Sequence, residues 1–278
     1  MKRVAFQKWV ATGNDFFFVD ALAEELNASD LSTEIVISLC RRDGLGEGGA
    51  DGIVFYTLAS SSGPATMTIV NADGSRAGMC GNALRCLAKI LSRRTGHTST
   101  KVMVGDREVV LRALPNEDPS VFMGLPSAIK GRTLLDEDSL LSECLCLEKS
   151  YLLSFGNPHL VGPVESLPAN WLLLGEGVQP VAHRLLDTGG INCGFLVTTP
   201  NAEGFFELCV FERGVGATQA CGSGACAASV VLEKRYSIAP PHRFQLPGGV
   251  LTLERHEDSV VLSGPAKFEY QESWSLAL

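Results

Sequence analysis

Four landmarks recur in the same order half a chain apart. Asn14 and Asn157, each preceded by Gly, are separated by 143 residues, and Cys80 and Cys221 by 141. Gly105 and Gly248 are separated by 143, and Gly124 and Gly264 by 140, where half of the 278-residue chain is 139. Any one match between common residues is expected by chance. Four in one order at nearly one offset indicate two related half-chains. Each half must then bury its own core with the same order of elements. The expected halves are residues 1–125 and 126–264, with residues 126–145 as the crossover and the tail 265–278 returning to the first half.

The repeat is centred on cysteine. Phe211–Ser229 reads FERGVGATQACGSGACAAS, with Cys221 just ahead of a helical run, Ala225–Arg235. Gly222 and Gly224 allow a tight turn and a close approach of backbone to ligand. In the first half Cys80-Gly81-Asn82 opens a run with apolar Leu84, Leu87, Ala88 and Leu91, and Gly96 is placed to end it. The first N–H groups of a helix lack intrahelical partners, and with the helix dipole they favour a carboxylate or a thiolate. Runs such as Val4–Val10, Phe16–Leu22, Gly52–Leu58 and Thr66–Val70 read as strands, as do Tyr151–Phe155, Ile191–Val197 and Phe205–Phe211. Ser29 or Asp30 is the expected cap of a helix reaching Arg42. Gly44–Gly49, GLGEGG, matches the dinucleotide fingerprint, but a predicted helix precedes it and a strand-like run follows. That is the reverse of what the fingerprint needs, so it reads as a glycine-rich connection.

A net charge of −8 without a basic run argues against nucleic acid or an anionic membrane as partner. No segment approaches a membrane span, and MKRVAFQKWV lacks the apolar core of a signal peptide. Nine cysteines, an odd number, point to reduced thiols in a cytoplasmic protein. There is no C-x-x-C pair, so no metal site is expected. No lysine stands in a setting that identifies a pyridoxal phosphate site, so no cofactor is expected.

Two thiols, each at a helix start, suit one reaction class. Inverting a stereocentre needs a base on one face of the carbon and an acid on the other. Thiol pKa values lie near ~8.5 and fall at helix N-termini, so one thiolate and one thiol coexist near neutrality. A single-nucleophile Cys-His hydrolase or transferase is the rival from another class, and it would need only one of the cysteines. A non-catalytic binding protein is a third reading.

The stretches GNDF (Gly13–Phe16), ADG (Ala50–Gly52), NADGS with MCGN (Asn71–Asn82), GNPH (Gly156–His159), ERG (Glu212–Gly214) and ACGSG (Ala220–Gly224) carry a resemblance. Together they make the chain similar to the diaminopimelate epimerase family. The resemblance implies an α+β fold of two pseudo-symmetric domains, each a mixed β-sheet curled around a central helix, with the site between the halves. It implies a cofactor-independent isomerase that interconverts LL- and meso-diaminopimelate in lysine biosynthesis. A small amino-acid substrate is the partner, and a homodimer is one assembly to consider. Cys80 and Cys221 correspond to the acid/base thiols, His159 to the partner of Cys80, and Glu212 to that of Cys221. Gly81-Asn82 and Gly222-Ser223 correspond to a carboxylate cradle. Asn14, Asn71, Asn157, Asn192 and Arg213 correspond to substrate-binding groups, with Arg213 suited to a distal carboxylate. Taken singly, the Asn residues read as turn formers and Glu212-Arg213 as a solvated pair. The nearest rival on the same scaffold is a proline racemase-like isomerase. Ala217, Ala83 and Ala11-Thr12 depart from the family's usual Glu, Gly and Gly-containing pair.

Overall fold

The computed structural model describes residues 1–43, 48–60 and 63–276. Residues 44–47 of the glycine-rich run lie outside them. The chain divides into two compact units, Met1–Val121 with Gly264–Leu278, and Phe122–Ser263.

The first unit opens with β1 (Lys2–Ala11) and β2 (Asn14–Asp20), an antiparallel pair, then α1 (Thr33–Cys40). It continues with β3 (Gly52–Thr57), β4 (Ala65–Asn71), the two-residue β5 (Arg76–Ala77), α2 (Gly81–Thr95), β6 (Ser99–Val104) and β7 (Arg107–Arg112). β3 joins β2 in parallel, β4 pairs antiparallel with β3 and β5, β6 adds parallel to β4, and β7 turns back on β6. The helix expected from Ser29 or Asp30 starts later. The Asp30 carboxylate turns back to the Asn27 N–H (2.7 Å), and Ser32 supplies the cap by accepting from the Ile35 N–H. α2 ends where Gly96 takes a left-handed conformation, φ 76°, and donates to the Ser92 carbonyl. Its buried face runs from Gly81 to Leu91 and packs against β1, β6 and β7.

A short strand, β8 (Ser120–Phe122), stands at the boundary. Residues 122–125, expected in the first half, belong with the second. The Met123 N–H donates to the Val260 carbonyl and the Gly124 N–H to Ser259 Oγ, both 2.9 Å.

The second unit contains β9 (Asp136–Glu137), α3 (Ser139–Cys144), β10 (Tyr151–Ser154), β11 (Pro158–Val164), α4 (Trp171–Gly177) and α5 (Gln179–Leu186). Then come β12 (Asn192–Val197), β13 (Phe206–Glu212), β14 (Gly216–Ala217), α6 (Gly222–Arg235), β15 (His242–Leu246), β16 (Gly249–His256) and β17 (Ser259–Ser263). The pairing order repeats that of the first unit. β10 and β11 are antiparallel, β12 joins β11 in parallel, β13 pairs antiparallel with β12 and β14, β15 adds parallel to β13, and β16 turns back on β15. α6 is buried all round from Gly222 to Leu232 and touches β10, β11, β12, β13, β16 and β17. Its Gly, Ala and Ser residues let strands approach on every side, as a helix enclosed by its own sheet requires.

The last strand, β18 (Lys267–Leu276), lies antiparallel to β1 in the first unit. Their register shifts between Lys8 and Trp9, with Glu269 the extra residue on β18; β1 itself is unbroken, and both Lys8 and Trp9 are buried. The buried Lys8 ammonium is neutralised by Asp15 at 2.9 Å.

Candidate functional site

In the first unit Cys80 is the N-cap of α2, half-buried, with extended backbone angles of −140° and 107°. The β4–β5 turn delivers it. Asn71 closes that turn, its backbone N–H donating to the Ser75 carbonyl (2.8 Å) and its amide to Ser75 Oγ (2.9 Å). Asn71 therefore does the local work of a turn residue. Asn14 and Asn82 are brought into direct contact, Asn82 Nδ2 donating to Asn14 Oδ1 at 2.6 Å. Around them stand groups to which motif reading gave no role. Asn14 Nδ2 donates to Asp51 Oδ2 (2.9 Å), and the fully buried Arg85 donates to Asn82 Oδ1 (3.1 Å) and Thr12 Oγ1 (2.5 Å). The one sequence signal for Arg85 is a charged residue on the apolar face of α2, next to Leu84.

In the second unit Cys221 is the N-cap of α6, and here the sulfur is itself the cap. Sγ accepts from the Gly224 N–H at 3.4 Å and lies 3.5 Å from Ser223 Oγ. Ser223 Oγ in turn lies 3.0 Å from His159 Nε2, so His159, Ser223 and Cys221 form a chain. Burial, and then the nearby Arg213 charge, lower the pKa of His159 to about 3, so the imidazole is neutral. Glu212, at the end of β13, accepts from Thr218 Oγ1 at 2.6 Å. Burial raises its carboxyl above the ordinary value, against the lowering effect of hydrogen bonds from Thr218 and Cys221. Burial raises the Cys221 thiol well above its ordinary value, and the Glu212 charge adds to it. Cys221 is therefore a thiol at neutral pH.

Asn192 is buried beside His159 in the β11–β12 register, and its Oδ1 accepts from the Arg213 N–H at 3.0 Å. The Arg213 guanidinium donates to the Thr188 carbonyl. Among the described residues no carboxylate forms an ion pair with Arg213. Asn157 is half-buried in the turn before β11, its carbonyl accepting from the Phe155 N–H at 3.2 Å. The second unit thus gathers His159, Asn192, Glu212, Arg213, Cys221 and Ser223. Thr218 is the partner missed from sequence, since its contact with Glu212 depends on the β13–β14 turn. Helix geometry leaves the N–H groups of Gly81, Asn82, Gly222 and Ser223 without intrahelical partners.

None of the nine cysteines is in a disulfide, and among the described residues no three His, Cys, Asp or Glu side chains are grouped as a metal would require. No described helix is long and apolar enough to cross a membrane.

The model of the family described as diaminopimelate epimerase matches residues 6–127 and 151–269. A diaminopimelate epimerase of Rickettsia akari is 31% identical over 280 residues, covering 98% of this chain and 97% of its own. One from Synechococcus sp. (strain JA-3-3Ab) is 34% identical over 284 residues, 95% of each chain. Among solved structures, a predicted epimerase of Pseudomonas aeruginosa superposes with a TM-score of 0.72 at 15% identity, over 99% of this chain and 100% of the other. A hydroxyproline epimerase of Agrobacterium vitis, with trans-4-hydroxy-L-proline bound, gives a TM-score of 0.66 at 14% identity, over 99% of this chain and 91% of the other. At such identities these two establish the fold alone.

Proposed function

The chain belongs to the diaminopimelate epimerase family, and from that premise we propose that it interconverts LL- and meso-diaminopimelate without a cofactor, using Cys80 and Cys221 as two separate acid/base groups. One observation supports this most. Each unit's buried helix begins at a cysteine N-cap in the same slot of the strand order. Cys221 starts as the thiol, because burial and the Glu212 carboxylate keep its proton on. Cys80, as thiolate, takes the Cα proton of the LL-substrate. Cys221 gives its proton to the opposite face of the same carbon. One S–H bond forms as another breaks, so the step needs no oxidant or reductant.

The negative charge that develops at the substrate carboxylate is met by the first-turn N–H groups of Gly81, Asn82, Gly222 and Ser223. In this reading His159 partners Cys80, and Glu212 partners Cys221. Arg213 holds the distal carboxylate in a bidentate fork, and Asn14, Asn71, Asn157 and Asn192 orient the rest of the substrate. Lysine biosynthesis, a cytoplasmic location and a homodimeric assembly belong to the same proposal.

Purified protein incubated with LL-diaminopimelate, the stereoisomers being resolved with time, tests the activity. Proline and trans-4-hydroxyproline run in parallel. The expected outcome is meso-diaminopimelate from the LL-isomer and no inversion of either proline. Inversion of a proline with LL-diaminopimelate unchanged would move the chain to the rival isomerase class.

A further inference from the structure

The hydrogen bonds around Asn14 and Asn82 have a fixed direction, because each end of the chain can act in only one way. A guanidinium only donates, and an ionised carboxylate only accepts. Arg85 therefore faces the oxygen of the Asn82 amide, as the 3.1 Å contact to Oδ1 shows. That turns Asn82 Nδ2 toward Asn14, 2.6 Å from its Oδ1. Asn14 then has only its Nδ2 to offer at the other side, and it meets Asp51 Oδ2 at 2.9 Å. Thr12 Oγ1, which accepts from Arg85, lies 3.4 Å from Asn82 Oδ1 and donates there. Asp51 is itself held by Arg42, whose Nη2 donates to Asp51 Oδ1 at 2.7 Å. The orientation of both amides is imposed from outside them. Were either amide rotated, a donor would face a donor or two oxygens would face each other, in part-buried surroundings.

We propose that Asp51 is a positioning residue, setting through Asn14 the orientation of the Asn14–Asn82 amide pair. In that orientation Asn82 Oδ1 is filled by Arg85 and Thr12, so beyond these bonds its side chain acts only as a donor. It suits an anionic group such as the substrate carboxylate. This last step rests on the proposed epimerase activity; the direction of the network does not.

The test is an exchange of the two side chains. Asp51→Asn removes the acceptor-only end, and Asn14→Asp sets two carboxylates against each other. Each single variant is expected to raise KM for LL-diaminopimelate about tenfold with kcat within about threefold, the size of effect expected from one misoriented part-buried bond. Each is also expected to melt below wild type. In Asn14→Asp/Asp51→Asn the pair is complementary again, since the amide introduced at position 51 donates to the carboxylate introduced at position 14, which still accepts from Asn82; the 3.2 Å bond from the Asp15 N–H to Asp51 Oδ2 is the one contact given up. The double variant is expected to melt above both singles and to recover KM toward wild type. Defects that add in the double variant, or single variants with unchanged KM and melting temperature, would overturn the proposal. The melting comparison reads the pair without turnover. A wild type that fails to epimerise LL-diaminopimelate would overturn the proposed function and leave that comparison intact.

Discussion

His159 is 1% exposed, and its pKa falls from the ordinary 6.5 to about 3 because burial opposes its charge. The unfolded chain takes up a proton at this position below about pH 6.5, and the folded chain does not until about pH 3. Stability from this group is thus fully present above pH 6.5 and is lost as pH falls toward 3. The slope is about 1.4 kcal/mol per pH unit, or about 2 kcal/mol between pH 7 and pH 5. His159→Gln keeps a polar group facing Ser223 and removes the titration. Urea unfolding at pH 7 and pH 5 is expected to show wild type losing about 2 kcal/mol more than the variant over that interval. The raised carboxyl of Glu212 has the opposite sign, favouring the folded state at low pH, but it is common to both proteins and cancels in the comparison. Parallel pH dependences would show that His159 is charged in the folded protein.

The two central helices each follow a cysteine N-cap with a glycine, and their third residues are Ala83 in α2 and Gly224 in α6. A Cβ at 224 would stand 3.0 Å from Val210 Cγ2 and 3.3 Å from Cys221 Sγ. Two effects compete in Gly224→Ala. Alanine in a helix gains up to about 1 kcal/mol over glycine. The tight contact displaces Val210 or the sulfur by a few tenths of an ångström. The propensity gain offsets most of the packing cost, so the melting temperature is expected to shift by less than about 4 °C. Positioning has no such offset, and kcat is expected to fall at least about tenfold. Differential scanning calorimetry beside steady-state kinetics checks both, and an unchanged kcat would mean that the sulfur position is not set by α6 packing.

α2 was legible in the sequence because apolar periodicity and Gly96 agree, and α6 because an uninterrupted helical run follows a glycine-rich start, although α6 begins at Gly222 and not at the expected Ala225. β11 was not, because it opens on Pro158 and its first residues read as the GNPH turn. The short α4 and α5 were missed too, since Gly175, Gly177 and Pro180 mask any helical period. Hydrogen-bond partners were the least legible of all. Asp51 stands 37 residues from Asn14, and Arg85 stands 73 from Thr12, so their contacts appear only once strand register and helix direction are known.

Over the whole chain, one strand-and-helix order serves twice with different chemistry. In the first unit Phe16, Gly52 and Asn71 form one row across β2, β3 and β4; at the matching place in the second unit His159 pairs with Asn192, and Cys193 pairs with Phe211, the residue before Glu212. The frame repeats, and at these positions the titratable groups, His159 and Glu212, stand only in the second unit. That asymmetry suits two thiols of unequal resting protonation, which is the central claim. Epimerisation in deuterated water tests it most directly. The thiol awaiting the substrate carries solvent deuterium, whereas the thiolate that takes the Cα proton holds protium. Mass analysis at early times should find deuterium at the inverted carbon of meso-product from the first turnover. LL-substrate recovered from the same samples should remain largely protiated, and Cys80→Ala and Cys221→Ala should each abolish epimerisation. Deuterium entering recovered substrate and product equally, or brisk epimerisation by either single variant, would contradict two separate thiols.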